Sequence, residues 1–552
     1  FEKVKGSKFR AVSNLYGTLE RSEYIFRNTL PQVQQLIQMK MDPLYALKHP
    51  LQALKVLPAA INALPKKNPI KQPVLFEEID IADLPLIQHW PMDGGAFVTL
   101  PQVYTEDIDA PGIGKSNLGM YRIQLNGNDY IINKEIGLHY QLHRGIGIHQ
   151  TKANAQGKPL KVSIFVGGPP AHAVAAVMPL PENLSEMNFA GVLAGRRFHY
   201  TYKDGFCVST DADFVITGEV SPNENKPEGP FGDHLGYYSL QHPFPLMKVH
   251  KVYAKKNAIW PFTVVGRPPQ EDTSFGQLIH AISGKAIAHE IPGVKEVHAV
   301  DAAGVHPLLL AIGSERYTPY LQTKRPQEIL TIANHILGTG QLSLAKFLWI
   351  AATQQNESIS THNVELFMQY MMERMDLMND VHFYTNTTMD TLDYSGDGLN
   401  KGSKVVLAAY GDKKRNLCQT VPGTIATLIP EATWIMPGLI AVSSSHTTAS
   451  LKNLLKDKGD LLLHQEGLFG IVITEDASWM KHNSANYIWA CFTRINPSHD
   501  IDGVDAITEN KHWGCNGPLI LDATIKPHHA PVLVVDPEVE QKAKTLLSKY
   551  GF

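Results

Sequence analysis

The sequence predicts a multidomain protein that combines α/β with α+β architecture, and three observations carry that reading. The chain is 552 residues long, several times a usual domain, so it must divide among at least two cores. Between about Gly119 and Val264 the apolar residues fall in short β-rich runs punctuated by Gly, Asn, Asp and Pro, the pattern of an antiparallel or mixed sheet. From about Pro268 onward, strand-like apolar runs alternate with helical windows, as βαβ units require.

In chain order, the first hundred residues mix amphipathic helix with proline. Helical spacing of apolar residues runs from Val33–Met39 through Leu54–Leu64, interrupted by Pro43, Pro50 and Pro58. Pro65-Lys66-Lys67-Asn68-Pro69 reads as an exposed connection. Strands are then expected at Tyr121–Leu125, Tyr130–Asn133, Lys161–Val166, Phe214–Val220 and Met247–Tyr253. The last part echoes itself: His306–Ala311 in Met436–Ala441, Ala345–Ile350 in Leu468–Ile473, and a helix holding Phe367–Met375 in one holding Ile488–Ile495. A tandem duplication with insertions explains the echoes; ordinary likeness between any two α/β segments is the other reading.

Composition excludes several classes. With 43% hydrophobic and 19% charged residues the chain is not intrinsically disordered. Fifty Lys+Arg against 53 Asp+Glu leave a net charge of -3, which argues against nucleic acid as partner. No apolar run is long enough for an ordinary membrane span; the nearest, Val421–Val442, is broken by Pro422, Pro430 and Pro437 and reads as buried strands and turns. That leaves peripheral membrane association open. The opening residues show no secretory signal pattern. Cys207, Cys418, Cys491 and Cys515 have no CxxC spacing. Reduced thiols and a cytoplasmic location are the expectation.

Among short motifs, Gly112-Ile113-Gly114-Lys115-Ser116 imitates the end of a P-loop, but Asp109 stands where its first glycine belongs. Neither GxGxxG nor HExxH is present. More informative is Glu228-Gly229-Pro230-Phe231-Gly232-Asp233. Two carboxylates flank a segment that cannot be regular helix, and its glycines allow close backbone approach. Two acids held together in an apolar pocket are expected to have their pKa values pushed apart, leaving one as a general acid. A Gly/Pro-rich surface turn with incidental acids is the bland alternative. Upstream, Asn117, His143 and Glu186 supply oxygen and imidazole ligands suited to Mn²⁺ or Mg²⁺, and Arg122 supplies a planar fork for a carboxylate or phosphate.

In order and spacing, Asn117-x-Gly119-x-Tyr121-Arg122, His143-Arg144-Gly145, Leu184-Ser185-Glu186, Glu228-Gly-Pro-Phe-Gly-Asp233 and Gly266-Arg267-Pro268-Pro269 resemble UbiD-type decarboxylases. The resemblance covers roughly residues 1–412 and is most specific over 117–270. It implies a reversible non-oxidative decarboxylase (a carboxy-lyase) of an aromatic or α,β-unsaturated carboxylic acid. It also implies prenylated FMN supplied by a flavin prenyltransferase, a divalent metal, usually Mn²⁺, and K⁺. By motif position Asn117, His143 and Glu186 would hold the metal. Met120, Tyr121, Arg122, His139, Tyr140, Gln141, Arg144 and Gly145 would line the cofactor, and Arg122, Glu228 and Asp233 would form the catalytic network. The implied fold is an N-terminal α/β domain (1–115), a central flavin-reductase-like split β-barrel (116–267) and a C-terminal α/β domain (268–412), with 413–552 a repeat of the last. A homo-oligomer is expected.

Two departures concern the cofactor-phosphate lysine. Gly402-Ser403-Lys404 keeps the lysine but is followed by Ala408-Ala409-Tyr410 where the family has Asp-Ala-Thr. The later Gly517-Pro518…Asp522-Ala523-Thr524 keeps Asp-Ala-Thr but has Pro518 where the lysine belongs. A duplication explains both half-matches, and Lys404 is the expected phosphate ligand. The substrate expectation is a hydroxyarene acid of quinone biosynthesis. Rival readings are a flavin-dependent oxidoreductase on a split barrel and a cofactor-free binding protein.

Overall fold

The computed structural model describes residues 1–42, 44, 48–141, 144–180, 185–320, 322–354, 358–443, 448–463, 465 and 467–551. Two compact units divide the chain: residues 1–283 with 530–552, and residues 284–529.

The first unit is built on nine strands. They are β1 (Glu77–Ile79), β2 (Phe97–Val98), β3 (Pro101–Glu106), β4 (Ser116–Gly119), β5 (Ile123–Gln124), β6 (Glu135–Leu138), β7 (Leu160–Val166), β8 (Phe214–Glu228) and β9 (His242–Ala254). Their order is β2-β5-β6-β9-β8-β7-β3-β4, with β1 on β9, and every pairing is antiparallel. Among the described residues this order stays open at β2 and β4, so the expected split barrel is realised as an open sheet.

Period-two alternation gives the sheet two buried faces. Along β7, Val162, Ile164 and Val166 enter one core with Phe214, Ile216, Met247 and Trp260. Phe165 between them enters a second core with residues of the helices, including Val33, Val56, Val174, Met187 and Ala190. Those helices are α1 (Leu30–Met41), α2 (Pro50–Asn62), α4 (Pro170–Val177) and α5 (Glu186–Ala194), while α3 (Gly145–Ala155) adds Ile146 and Ala153 to the first core. Ser185 caps α5 by accepting from Met187 N.

Several sequence expectations are corrected here. Tyr130–Asn133 is not a strand; Ile131 and Ile132 are exposed, and Asn128 and Asn133 adopt left-handed φ, which asparagine tolerates better than most residues. Tyr121–Leu125 contracts to the two residues of β5. The expected connection at Lys66–Lys67 is exposed but pairs with His199–Lys203 as a short strand. The division at residues 115 and 116 runs through one sheet, because β1–β3 pair with strands beyond it. Residues 530–552 return to the first unit, where Tyr238 N donates to Pro531 O at 2.9 Å.

The second unit holds two five-stranded sheets of the same design. One contains β10 (Glu296–Ala299), β11 (Leu308–Gly313), β12 (Phe347–Ala352), β13 (Val381–Thr388) and β14 (Lys401–Ala409), ordered β10-β11-β12-β14-β13. The other contains β15 (Thr433–Met436), β16 (Leu439–Ser443), β17 (Gly470–Thr474), β18 (Ile501–Gly503) and β19 (Leu519–Asp522), ordered β15-β16-β17-β19-β18. In both, the three middle strands are parallel and the two outer ones antiparallel. The helices α6 (Val364–Arg374) and α7 (Ser484–Arg494) occupy matching places in the chain. One echo is off by a residue. Pairing registers make Leu308 the counterpart of Leu439, because the Pro437-Gly438 turn closes a tight hairpin where the first repeat has a longer connection.

The join between the repeats is reciprocal. Phe492 of α7 packs on Phe347 and Trp349, with ring centroids 4.9 and 6.3 Å apart, and Ser403 Oγ accepts from Ser498 N at 2.9 Å. In the opposite sense, Cys515 N donates to Leu377 O at 3.2 Å, and His512 Nε2 lies 3.0 Å from Met378 O. Leu377 and Met378 are the first repeat's counterparts of Pro497 and Ser498, so the two repeats meet through the same elements.

Candidate active site

Strand β8 ends at Glu228, and the segment after it is fastened from two sides. Asp93 Oδ1 accepts from Gly232 N at 2.8 Å while its other oxygen accepts from His89 N and Trp90 N. Gly94 lies so close that a Cβ there would stand 2.2 Å from Gly229 O, which only glycine permits. Asp233 is thereby held near Glu228, with only the two-residue strand Phe231–Gly232, paired antiparallel with Tyr238–Ser239, between them.

Arg122, in the link from β4 to β5, ties the acids together. Its Nε and Nη2 donate to the two oxygens of Glu228, both at 2.8 Å, and its Nη1 donates to Asp233 Oδ2. Nη2 also donates to Ser239 Oγ at 2.9 Å, and the guanidinium lies 4.8 Å from the centroid of Phe231. His139 Nδ1 stands 3.0 Å from Glu228 Oε2 and 2.9 Å from Arg122 Nη2. Because the two hydrogens of Nη2 go to Glu228 and Ser239, Nδ1–H of His139 is the donor to Glu228. The neutral ring then carries a bare lone pair on Nε2, buried and without a partner among the described residues. Glu228, Asp233, His139, Ser239 and Phe231 are buried, and the Arg122 side chain is 8% exposed.

Burial alone would raise both carboxyls. At Glu228 the charge of Arg122 and the donation from His139 outweigh burial and hold the carboxyl well below its ordinary value. At Asp233 burial is offset by the hydrogen bond from His234 and by Arg122, and the pKa falls to about 2. The expectation that proximity pushes the two pKa values apart is therefore corrected: a buried arginine between the acids keeps both ionised. Burial and Arg122 lower the pKa of His139.

Of the expected metal ligands, Asn117 lies in β4 and Glu186 opens α5; His143 lies outside the described residues. Glu186 Oε2 accepts from Leu118 N at 2.9 Å, beside Asn117. Burial pushes the Glu186 pKa up to about 7, opposed only by backbone N–H groups. A half-buried carboxylate with backbone donors and, among the described residues, no side-chain cation paired to it, next to an amide oxygen, is a donor set that suits a hard divalent cation. Among the described residues no group of three His, Cys, Asp or Glu is placed to hold a metal.

The expected cofactor-lining residues gather at the start of α3. Tyr121 OH lies 3.2 Å from Asn117 Nδ2, and its ring is 6.1 Å from that of Tyr140, whose hydroxyl donates to Gln150. Met120 N donates to Ala176 O and Gln141 is half-buried. Arg144 stands at the N-terminus of α3, which has no side-chain cap. A Cβ at Gly145 would come 2.3 Å from Asn117 Oδ1. An uncapped helix start beside a glycine suits a phosphate group. Lys404 belongs to the second unit, on β14, where it donates to Ser343 O; burial lowers its pKa to about 8. The P-loop imitation at Gly112–Ser116 is a short 3₁₀ turn leading into β4, so no helix follows to receive a triphosphate.

The sequence reading missed Asp93 and Ser239, and it placed His139 with the cofactor without seeing its bond to Glu228. His234 was legible, standing directly after Asp233. Nothing local in the sequence marks Asp93 or Ser239.

Fold and site together define an enzyme with a buried arginine–diacid centre. Residues 63–268 match the domain described as 3-octaprenyl-4-hydroxybenzoate carboxy-lyase Rift-related domain, and residues 273–409 match the C-terminal domain of the same family. The chain is 34% identical over 554 residues to a 4-hydroxybenzoate decarboxylase subunit from Chlamydia pneumoniae, covering 98% of this chain and 89% of that one. It is also 34% identical over 545 residues to an uncharacterized protein of Chlamydia trachomatis, covering 97% and 89%. Among solved structures, the vanillic acid decarboxylase of Sedimentibacter hydroxybenzoicus in closed form superposes with a TM-score of 0.61 at 21% identity, covering 83% of this chain and 88% of that one. A UbiD-class enzyme of Pelotomaculum thermopropionicum in complex with FMN gives 0.55 at 18% identity, covering 77% and 86%. The chain belongs to the UbiD family of carboxy-lyases.

Proposed function

We propose that this chain is a reversible, non-oxidative decarboxylase of an aromatic or α,β-unsaturated carboxylic acid, working with prenylated FMN and a divalent metal. The observation that carries the reading is the buried Arg122–Glu228–Asp233 network. One arginine grips two acids and has the donor geometry to grip a third carboxylate, that of a substrate. Bound prenylated FMN supplies the electron sink for the carbon that loses CO₂.

The chain's own residues supply binding and the proton. The substrate carboxylate docks on Arg122 and competes for the donor now given to Asp233. Asp233 remains buried but loses part of the charge that kept it ionised, so its pKa rises and it takes up a proton. Glu228 keeps the bond from His139 and stays ionised. When CO₂ leaves, Asp233 returns its proton to the substrate carbon that carried the carboxylate. Asn117, Glu186 and His143 hold the metal, of which Mn²⁺ fits the ligand types, and K⁺ accompanies the cofactor in the resemblance. Met120, Tyr121, Arg122, His139, Tyr140, Gln141, Arg144 and Gly145 hold the flavin. The name of the Chlamydia pneumoniae relative supports a hydroxyarene acid as substrate, and we place the reaction in quinone biosynthesis. Cytoplasmic location, homo-oligomerisation and dependence on a flavin prenyltransferase belong to the same reading.

The test is mass spectrometry of the cofactor released from denatured protein, coupled to CO₂ release from a panel of hydroxyarene and enoic acids. FMN carrying a five-carbon unit, with CO₂ from at least one acid, is expected. Unmodified flavin reduced by NAD(P)H, with no CO₂ from any acid, would establish the oxidoreductase instead.

A further inference from the structure

Far from the arginine–diacid centre in sequence, helix α2 (Pro50–Asn62) presents an apolar face to solvent. Val56 and Ala59 are buried and fix its inner side against α1 and α5. Leu51 is 75% exposed, Leu54 65%, Leu57 55% and Ile61 51%; Pro58 is exposed as well. At 100° per residue these five fall within about a third of the helix circumference and run its full length of about 20 Å. Leu64 and Ile70, both exposed, continue the apolar character beyond the helix end. Single exposed leucines need no explanation, but an unbroken stripe of them marks a surface that something covers.

The charges around the stripe say what covers it. From Leu44 to Gln72 the chain contains five lysines, Lys48, Lys55, Lys66, Lys67 and Lys71, and no Asp or Glu; all five are exposed. Arg197 joins the rim, its Nε donating to Leu64 O at 2.6 Å. This basic rim lies on a chain whose net charge is -3, so it is a local feature. Pairing the face with its own copy about a twofold axis would set lysine against lysine. An anionic bilayer offers what the surface lacks: an apolar layer at the depth of the leucines and negative headgroups at the height of the lysines.

We propose that α2 and its lysine rim form a docking surface for an anionic lipid membrane, with the helix lying in the plane of the interface. The helix is too short to span, and no described helix is long and apolar enough to cross a membrane. The surface holds the enzyme on the bilayer peripherally and reversibly.

Flotation of the intact protein with vesicles tests this. Vesicles of phosphatidylcholine mixed with phosphatidylglycerol should carry the protein upward, pure phosphatidylcholine should carry far less, and salt should weaken the association. The variant L51E/L54E should lose binding more than about tenfold, and K66E/K67E should lose about tenfold or more. Both should keep the parent melting temperature, since every altered side chain is already exposed. Failure to float with anionic vesicles overturns the proposal. So does equal binding to neutral vesicles without response to salt or to K66E/K67E. A third contrary result is a dimer by light scattering that L51E/L54E dissolves while vesicle binding is absent, which would assign the face to a second copy.

Discussion

Among the described residues each unit buries a cation–carboxylate network, and the two differ in whether their hydrogen bonds close. In the first unit Arg122 serves two acids and a serine, while the neighbouring His139 keeps an unmatched lone pair. In the second unit Lys346, entirely buried, meets Asp393 at 2.8 Å and Ser395 Oγ at 2.7 Å, with Thr493 O at 3.4 Å. Asp393 in turn accepts from Ser395 N and Oγ. The lysine has three donors and three acceptors, so this network closes on itself and asks for nothing from outside. It is the first unit's spare acceptor and divided arginine that imply a visitor.

The sharpest way to break the comparison is Asp233→Asn. Turnover should fall by roughly 10²–10⁴-fold, with flavin absorbance and melting temperature retained; full activity would remove Asp233 from the chemistry. Next is Glu186→Gln, for which elemental analysis should find the divalent metal lost while the protein remains folded. The second network should answer in stability instead of rate. Lys346→Met leaves Asp393 buried without its counter-charge and should cost about 3–5 kcal/mol, read by denaturant unfolding. Lys346→Met combined with Asp393→Leu should recover part of that loss.

Smaller effects concern protonation. Asp233 is depressed from 3.8 to about 2, and a depressed acid stabilises the fold above its unfolded pKa and loses that contribution as pH falls through the folded one. Unfolding followed between pH 4 and pH 2 should therefore show a decline in stability that is weaker in Asp233→Asn. Smallest of all is the tautomer of His139. Nitrogen NMR of labelled histidine should find Nδ1 protonated and Nε2 bare near neutral pH, and the reverse pattern would reassign the donor to Glu228.

How much of this was legible in the sequence depended on whether the signal was local. Glu228 and Asp233 were readable because the glycines and proline between them dictate an unusual backbone, and the likeness of the two five-stranded sheets because strand and helix periods recur in order. Tyr130–Asn133 misled because β-propensity was read without the flanking asparagines that turn the chain. The barrel's openness and the assignment of residues 530–552 depend on pairings between distant segments, which propensity does not encode. The low pKa of Asp233 draws first on His234, its neighbour in the chain, and then on Arg122, which arrives from over a hundred residues away and is the part that propensity does not encode.

Strand β14 carries a consequence beyond either network. Ser403 and Lys404 are neighbours and so point to opposite faces of the sheet. Ser403 grips Asn496 and Ser498 of the second repeat, while Lys404 turns the other way to Ser343. The second repeat therefore acts as a ratchet pawl on this strand. A slip of one residue would put a lysine into the join and a serine on the other face, so the docked repeat fixes which side of the sheet can offer a positive charge.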